Sequence, residues 1–320
     1  MKRRTIIRIA ALFSVLSYLA STHLLAAEPE KAADAPSDKF IRILRNDEGR
    51  PLALQTPVVH FVPEDADAKP VVVDLVGAVH VGERSYYDAL NDLFEQYDVV
   101  LYELVAPEGT RIPKGGRSSN HPVALLQTGM KDILGLEHQM QCVDYTKDNF
   151  VHADMSPDEM AKSMNDRGES WLSTFFRMMG AGIAQQSRMQ AEGKSMEVDL
   201  LAAILSDDRE SALKRIMAEQ FEDVEMMMAA LDGPQGSTLI TERNRVALEE
   251  LREQIDDGQT KIAVFYGAGH LNDMQKRLID DFGLKRTGTD WISAWNLATL
   301  DADAADEAKG EADEADASDQ

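Results

Sequence analysis

The 320-residue chain carries 56 acidic against 33 basic residues, a formal net charge of −23, and a single cysteine. A surface this acidic repels phosphate backbones and argues against nucleic acid as a partner, while it concentrates cations, metals included. With Cys142 alone, no intrachain disulfide can staple the fold, so it must hold by core burial.

The chain opens MKRR, continues with an apolar run from Ile9 to Ala20 and reaches small residues at Ala27. A spanning helix wants about 20 apolar residues. Ser14, Ser17 and His23 interrupt this one, so residues 1–27 read as a secretory signal peptide cleaved near Ala27. Export to the periplasm or the medium follows, with peripheral membrane association only through an uncleaved signal anchor. A polar spacer occupies residues 28–39 and a single α/β domain is expected over 40–300.

Short β-branched runs at Phe40 to Leu44 and Pro57 to Val62, with turn residues around them, predict a small antiparallel meander. The run Pro70 to Val76 is apolar almost throughout and reads as a central strand covered on both faces. A helix follows from Arg84 to Gln96, with Tyr86, Leu90, Leu93 and Phe94 on one face, and then the strand beginning at Asp98. Strand, helix, strand predicts a right-handed crossover with the two strands parallel and adjacent. A Gly-, Pro- and base-rich loop from Pro107 to Asn120 leads to a helix over 122–134.

Ser156-Pro157-Asp158-Glu159 is a capping box with proline at the first helical position, and it opens a helical insertion expected over about residues 156–232, with Ser206 as a second cap. Of the 15 methionines, 11 fall between Met155 and Met228, where they suit either ordinary core or an adaptable groove for apolar ligand segments. A helix from Leu239 to Asp256, a strand from Lys261 to Tyr266, a helix from Asn272 to Phe282 and an alternating strand from Leu284 to Trp295 complete the body. The tail, residues 301–320, has no apolar side chain larger than alanine and is expected to be disordered. The expected fold is α/β, a mixed β-sheet core with strand-GxxH-helix units and a helical insertion.

Those units carry the chemistry. Gly77-Ala78-Val79-His80 and Gly267-Ala268-Gly269-His270 each follow an apolar strand and precede an amphipathic helix. In open α/β sheets, ligands bind beyond the carboxyl ends of the strands, where both histidines fall. Glu103 ends the strand expected beside the one leading to His80, and the glycines let the chain turn sharply and approach closely. Taken singly, each of these is an ordinary structural residue. Together, two imidazoles and a carboxylate form a ligand set for a divalent transition metal of the zinc, manganese or cobalt class, whose bound water ionises near neutral pH. Glu103 could be a metal ligand or a general base.

Arg243 shares a helical stripe with Ala247 and Leu251, so it either snorkels at the edge of that face or aims its charge inward, to orient Glu103 or to stabilise negative charge on a substrate carbonyl oxygen. His60, His121, His138 and His152 lack ligand spacing, and Cys142 sits in an apolar, strand-like run that suits an inert buried thiol. No P-loop, serine-nucleophile elbow or His-Glu-x-x-His motif is present.

The four elements GAVH at Gly77 to His80, YELV around Glu103, ERN at Glu242 to Asn244 and GAGHL at Gly267 to Leu271 resemble, in order and spacing, the TraB, PrgY and GumN family, to which the Tiki metalloproteases are similar. The resemblance spans Pro70 to about Phe282. It implies one cleft holding His80, His270 and Glu103 and, for the Tiki branch, metal-dependent peptide hydrolysis. Other branches control peptide pheromones, and erythromycin esterases and a haem-binding ChaN group are more distant relatives. Ala78 and Gly82 depart from the hydroxyl residues frequent in relatives. The chain is therefore expected to be an exported metal-dependent hydrolase of peptides or another small carbonyl substrate. The rival is a non-catalytic peptide- or haem-binding protein using the same cleft, and a vestigial cleft in a structural envelope protein is the third reading.

Overall fold

The computed structural model describes residues 39–115, 133–170, 196–206, 208–221, 232 and 235–298. The signal peptide, nearly all of the spacer, most of the helix expected over 122–134, His121, much of the helical insertion and the acidic tail lie outside these residues.

The first strands form the expected meander. β1 (Arg42–Arg45) pairs antiparallel with β2 (Pro51–Pro63), which starts earlier than its apolar run suggests. Asn46 Oδ1 explains the early start, since it accepts from the N–H of Glu48 at 3.1 Å and of Arg50 at 2.9 Å and closes the turn tightly. β2 is the hinge of the sheet. Its other antiparallel partners are β3 (Val72–Ala78) and, along nearly its whole length, β9 (Leu284–Asn296).

Beyond β3 the sheet turns parallel. The strand order is β1-β2-β3-β8-β5-β7, with β9 on β2, where β5 is Val99–Tyr102, β7 is Phe150–His152 and β8 is Lys261–Gly267. One expectation is corrected. β3 and β5 are parallel, but they are not neighbours, because β8 lies between them and pairs with both. Ile262, Ala263, Val264, Phe265 and Tyr266 are all buried, as a strand with parallel neighbours on both sides and cover on both faces requires.

Helices cover the sheet with their apolar stripes. Tyr86, Tyr87, Leu90 and Phe94 of α1 (Arg84–Phe94) are buried, and a short pairing of β4 (Val81–Gly82) with β6 (Glu137–His138) stands beside it. Cys142 is buried at the end of a one-turn helix, α2 (Gln139–Cys142), rather than in a strand. α3 (Pro157–Asp166) has the full capping box: Glu159 N–H donates to Ser156 Oγ at 3.2 Å, and Ser156 N–H donates to Glu159 Oε2 at 2.8 Å.

The described parts of the insertion are helical, with α4 (Met196–Leu205) followed by α5 (Arg209–Phe221). Ser206 Oγ accepts the Asp208 N–H just ahead of α5. Met155, Met160, Met164 and Met217 are buried, as core methionines should be. α5 docks through Lys214, whose ammonium donates to Glu83 Oε1 at 2.7 Å, and the same oxygen accepts the Asn296 N–H at 2.9 Å. A π-helical turn (Thr238–Glu242) leads into α6 (Arg243–Asp256), and a 3-10 turn (Ala268–His270) leads from β8 into α7 (Leu271–Asp280). None of the described helices is long and apolar enough to cross a membrane.

At the amino end of the parallel strands, buried Asp74 accepts from Tyr97 Oη at 2.6 Å, and the two ring nitrogens of His60 face Asp74 Oδ1 at 2.8 Å and Asp290 Oδ2 at 3.2 Å. The hydrogen bond to Asp74 raises the His60 pKa against the opposing effect of burial. A raised folded pKa adds stability that is complete below the unfolded value, about 6.5, and is lost as pH rises through the folded one. Replacing His60 with Gln should therefore cost most in acid. Urea unfolding of both proteins at about pH 5.5 and about pH 8.5 should show the gap narrowing at the higher pH.

Candidate active site

Strand register assembles the site. Ala78 is paired with Gly267 and Tyr102 with Phe265, so β3, β8 and β5 end at one edge with His80, His270 and Glu103 just beyond them. Glu103 also anchors itself by its backbone, donating its N–H to Phe265 O at 3.2 Å.

Both Glu103 oxygens are engaged. Oε1 accepts from Arg243 Nη2 at 2.6 Å and Oε2 from the Gly267 N–H at 2.7 Å. Gly267 is closely approached, since a Cβ there would lie 3.2 Å from Glu103 Oε2, tighter than ordinary contact. At Gly77 it would lie 2.8 Å from Pro57 Cδ. None of Gly77, Gly267 and Gly269 has positive φ, and for Gly77 and Gly267 close approach, not a left-handed turn, is what glycine provides. The departure at Gly82 has the same origin: a Cβ would meet Tyr86 Cδ1 at 2.8 Å.

Arg243, at the start of α6, is shared. Its Nε and Nη2 donate to Asp154 Oδ1 and Oδ2 at 2.9 and 2.6 Å while Nη2 also serves Glu103. Of the two roles expected for Arg243, the geometry displays the first, orienting Glu103. Burial opposes the Arg243 charge, and Asp154 and Glu103 more than offset it. Burial likewise pushes Glu103 up, but His270, Arg243, His80 and the Gly267 N–H overcome it and hold the carboxyl down at about 2. Two carboxylates around one guanidinium leave the cluster one negative charge in excess, a setting that favours a cation.

His270 is buried, and burial lowers its pKa, which keeps the ring neutral. Its Nε2 faces Glu103 Oε1 at 3.7 Å, beyond hydrogen-bond length, and its Nδ1 meets Asn244 Oδ1 at 2.6 Å. His80 is placed differently. It is exposed at the same edge, with Nδ1 3.2 Å from Gln139 Oε1 and its carbonyl accepting the Gln139 N–H at 2.9 Å. It is near enough to lower the Glu103 pKa, but its ring is bonded to Gln139 and not to Glu103 or His270.

The structure thus joins Glu103, His270 and Arg243 directly and brings His80 to their margin. Among the described residues, no group of three His, Cys, Asp or Glu stands close enough to hold a metal ion. The remaining described histidines serve the fold, with His152 Nε2 2.6 Å from Leu104 O and His138 Nδ1 accepting the Met140 N–H.

Sequence reasoning missed Asp154 and Gln139, and it marked Asn244 within the ERN element without a role of its own. Asp154 stands just past β7 as Glu103 stands just past β5, so the strand-end carboxylate that marked one could have marked the other. No protein-family profile, curated protein or solved structure matches the chain.

Removing the shared guanidinium should expose these dependencies. Arg243→Met leaves buried Asp154 and part-buried Glu103 without their partner and should cost about 3–5 kcal/mol near neutral pH. A depressed carboxylate pKa adds stability that is present above the unfolded value and is lost as pH falls toward the folded one. With Glu103 moving from 4.5 to about 2, the deficit should shrink across that window, as urea unfolding at about pH 7 and about pH 3 can measure.

Proposed function

We propose that this chain is an exported hydrolase of peptides, or of another small carbonyl substrate, that depends on a divalent transition metal of the zinc, manganese or cobalt class. The observation that carries the proposal is the 3.7 Å separation of His270 Nε2 and Glu103 Oε1 inside a cluster with one excess negative charge. Two donors that bind one tetrahedral ion, each about 2.0–2.2 Å from it, stand about 3.4 Å apart. The pair fits such an ion in donor chemistry and in spacing. The likeness of the GAVH, YELV, ERN and GAGHL elements to the Tiki branch supports the same reading.

His270 and Glu103 would hold the ion, and His80 would become a third donor only by turning its ring from Gln139 toward them. When bound, the ion supplies Lewis acidity, polarising a carbonyl and acidifying water. Glu103, with its carboxyl held at about 2, suits a ligand rather than a general base, whose pKa should lie near the working pH. The neutral ring of His270 likewise suits a donor. Arg243 holds Glu103 in place through Asp154 and brings positive charge to the edge where a carbonyl oxygen would become negative.

Cleavage of a peptide library by chelated, purified protein tests this, with zinc, manganese or cobalt added back. Activity should be absent after chelation, return with one of the three metals, and vanish in His270→Ala. Cleavage indifferent to both chelation and His270→Ala would remove the proposal.

A further inference from the structure

We propose that Asn244 is the positioning residue of the site, holding His270 in the Nδ1–H tautomer so that the bare Nε2 lone pair faces Glu103. This deepens the hydrolase reading by saying what prepares His270 as a donor, and it rests on that reading for its consequence but not for its geometry.

The orientation of the Asn244 amide is fixed by its hydrogen bonds. Its Nδ2 donates to Asp273 Oδ2 at 2.9 Å and to His270 O at 3.1 Å. Both targets are acceptors only, so the two amide hydrogens are committed and the group cannot be turned over without placing Oδ1 against two oxygens. Arg277 Nε fixes Asp273 in turn, donating to the same Oδ2 at 2.8 Å. The remaining amide atom, Oδ1, must face His270 Nδ1, which it does at 2.6 Å. An amide oxygen only accepts, so Nδ1 carries the proton.

In a neutral ring the other nitrogen is then bare. An imidazole left to itself prefers the opposite tautomer, with hydrogen on Nε2, and Glu103 would reinforce that preference by offering an acceptor. The fold has set Asn244 against both tendencies. It grips His270 at its main-chain carbonyl and at its ring, so that rotation about the side chain and migration of the proton are opposed by one residue. Asn244 itself is fully buried, which keeps water from replacing either contact.

The result is a lone pair held 3.7 Å from an ionised carboxylate oxygen, an arrangement that is unfavourable until something electropositive joins the two. Metal-bound histidines are held in this way, with the second ring nitrogen donating to an orienting oxygen. His80 meets a looser counterpart in Gln139, which bonds its main-chain carbonyl and its Nδ1.

The test is long-range proton–nitrogen NMR of the chelated full chain with 15N-labelled histidine, the His270 signals being assigned by comparison with His270→Gln. At neutral pH the wild type should show His270 neutral with hydrogen on Nδ1. Asn244→Leu, which removes the acceptor facing Nδ1, should lose that signature. Zinc affinity of Asn244→Leu, read by chelator competition, should fall about 10- to 100-fold. A wild-type spectrum with hydrogen on Nε2 alone, or an imidazolium, overturns the proposal, and it does so even where Asn244→Leu fails to fold. Retention of the neutral Nδ1–H form in a folded Asn244→Leu also overturns it. An Nδ1–H ring in a protein that neither takes up zinc nor cleaves peptides removes the hydrolase reading and leaves the role of Asn244 standing. Metal-dependent cleavage with a bare Nδ1 does the reverse.

Discussion

One guanidinium holds the working edge of this protein together. Arg243 begins a helix, Asp154 follows the edge strand β7, and Glu103 follows β5 and reaches across to the last N–H of β8. Four elements from distant parts of the chain therefore meet in hydrogen bonds that are largely shielded from water. A buried arginine is tolerable only when its charge is answered, and answering it with two carboxylates fixes the position of both. The rigidity at the site and its surplus negative charge come from the same contact.

How well the sequence foretells this depends on the range of the interactions involved. Strand ends, the Ser156 capping box and the GxxH turns are local, and the chain displays them within a few residues. The α/β class followed from the same local signals, and the seven-stranded mixed sheet bears it out. Strand order is not local. β3 and β5 read as neighbours because a strand–helix–strand unit usually makes them so, yet β8, more than 150 residues beyond β5, comes between them. Both β3 and β8 are buried through successive residues, so their own composition does not rank them, and the order is set by pairing between segments far apart in the chain.

The candidate site divides along the same line. Glu103, His80 and His270 were legible because each ends a strand or follows one by a short turn, and Arg243 because its stripe is otherwise apolar. Asp154, Asn244 and Gln139 act through partners 26 to 89 residues away in the case of the first two and 59 in the case of the third, and nothing in their own neighbourhoods announces a partner. The glycines show the converse. A sharp turn and a close approach were both expected of them, and the structure displays the second, around Glu103 and Pro57, without an unusual backbone angle.

The π-helical turn over Thr238–Glu242 deserves a final inference of its own. Successive side chains on a regular helix diverge by about 100°, yet Arg243 and Asn244, which are consecutive, are both buried and serve Glu103 and His270 respectively. The wide turn, capped by Ser237 Oγ on the Ile240 N–H, sets the angular phase at which the following helix presents that pair. Exchanging side chains along the turn alters contacts, whereas adding or deleting a residue rotates the arginine and the asparagine away together. In this segment spacing, more than chemical identity, is what inheritance has to preserve.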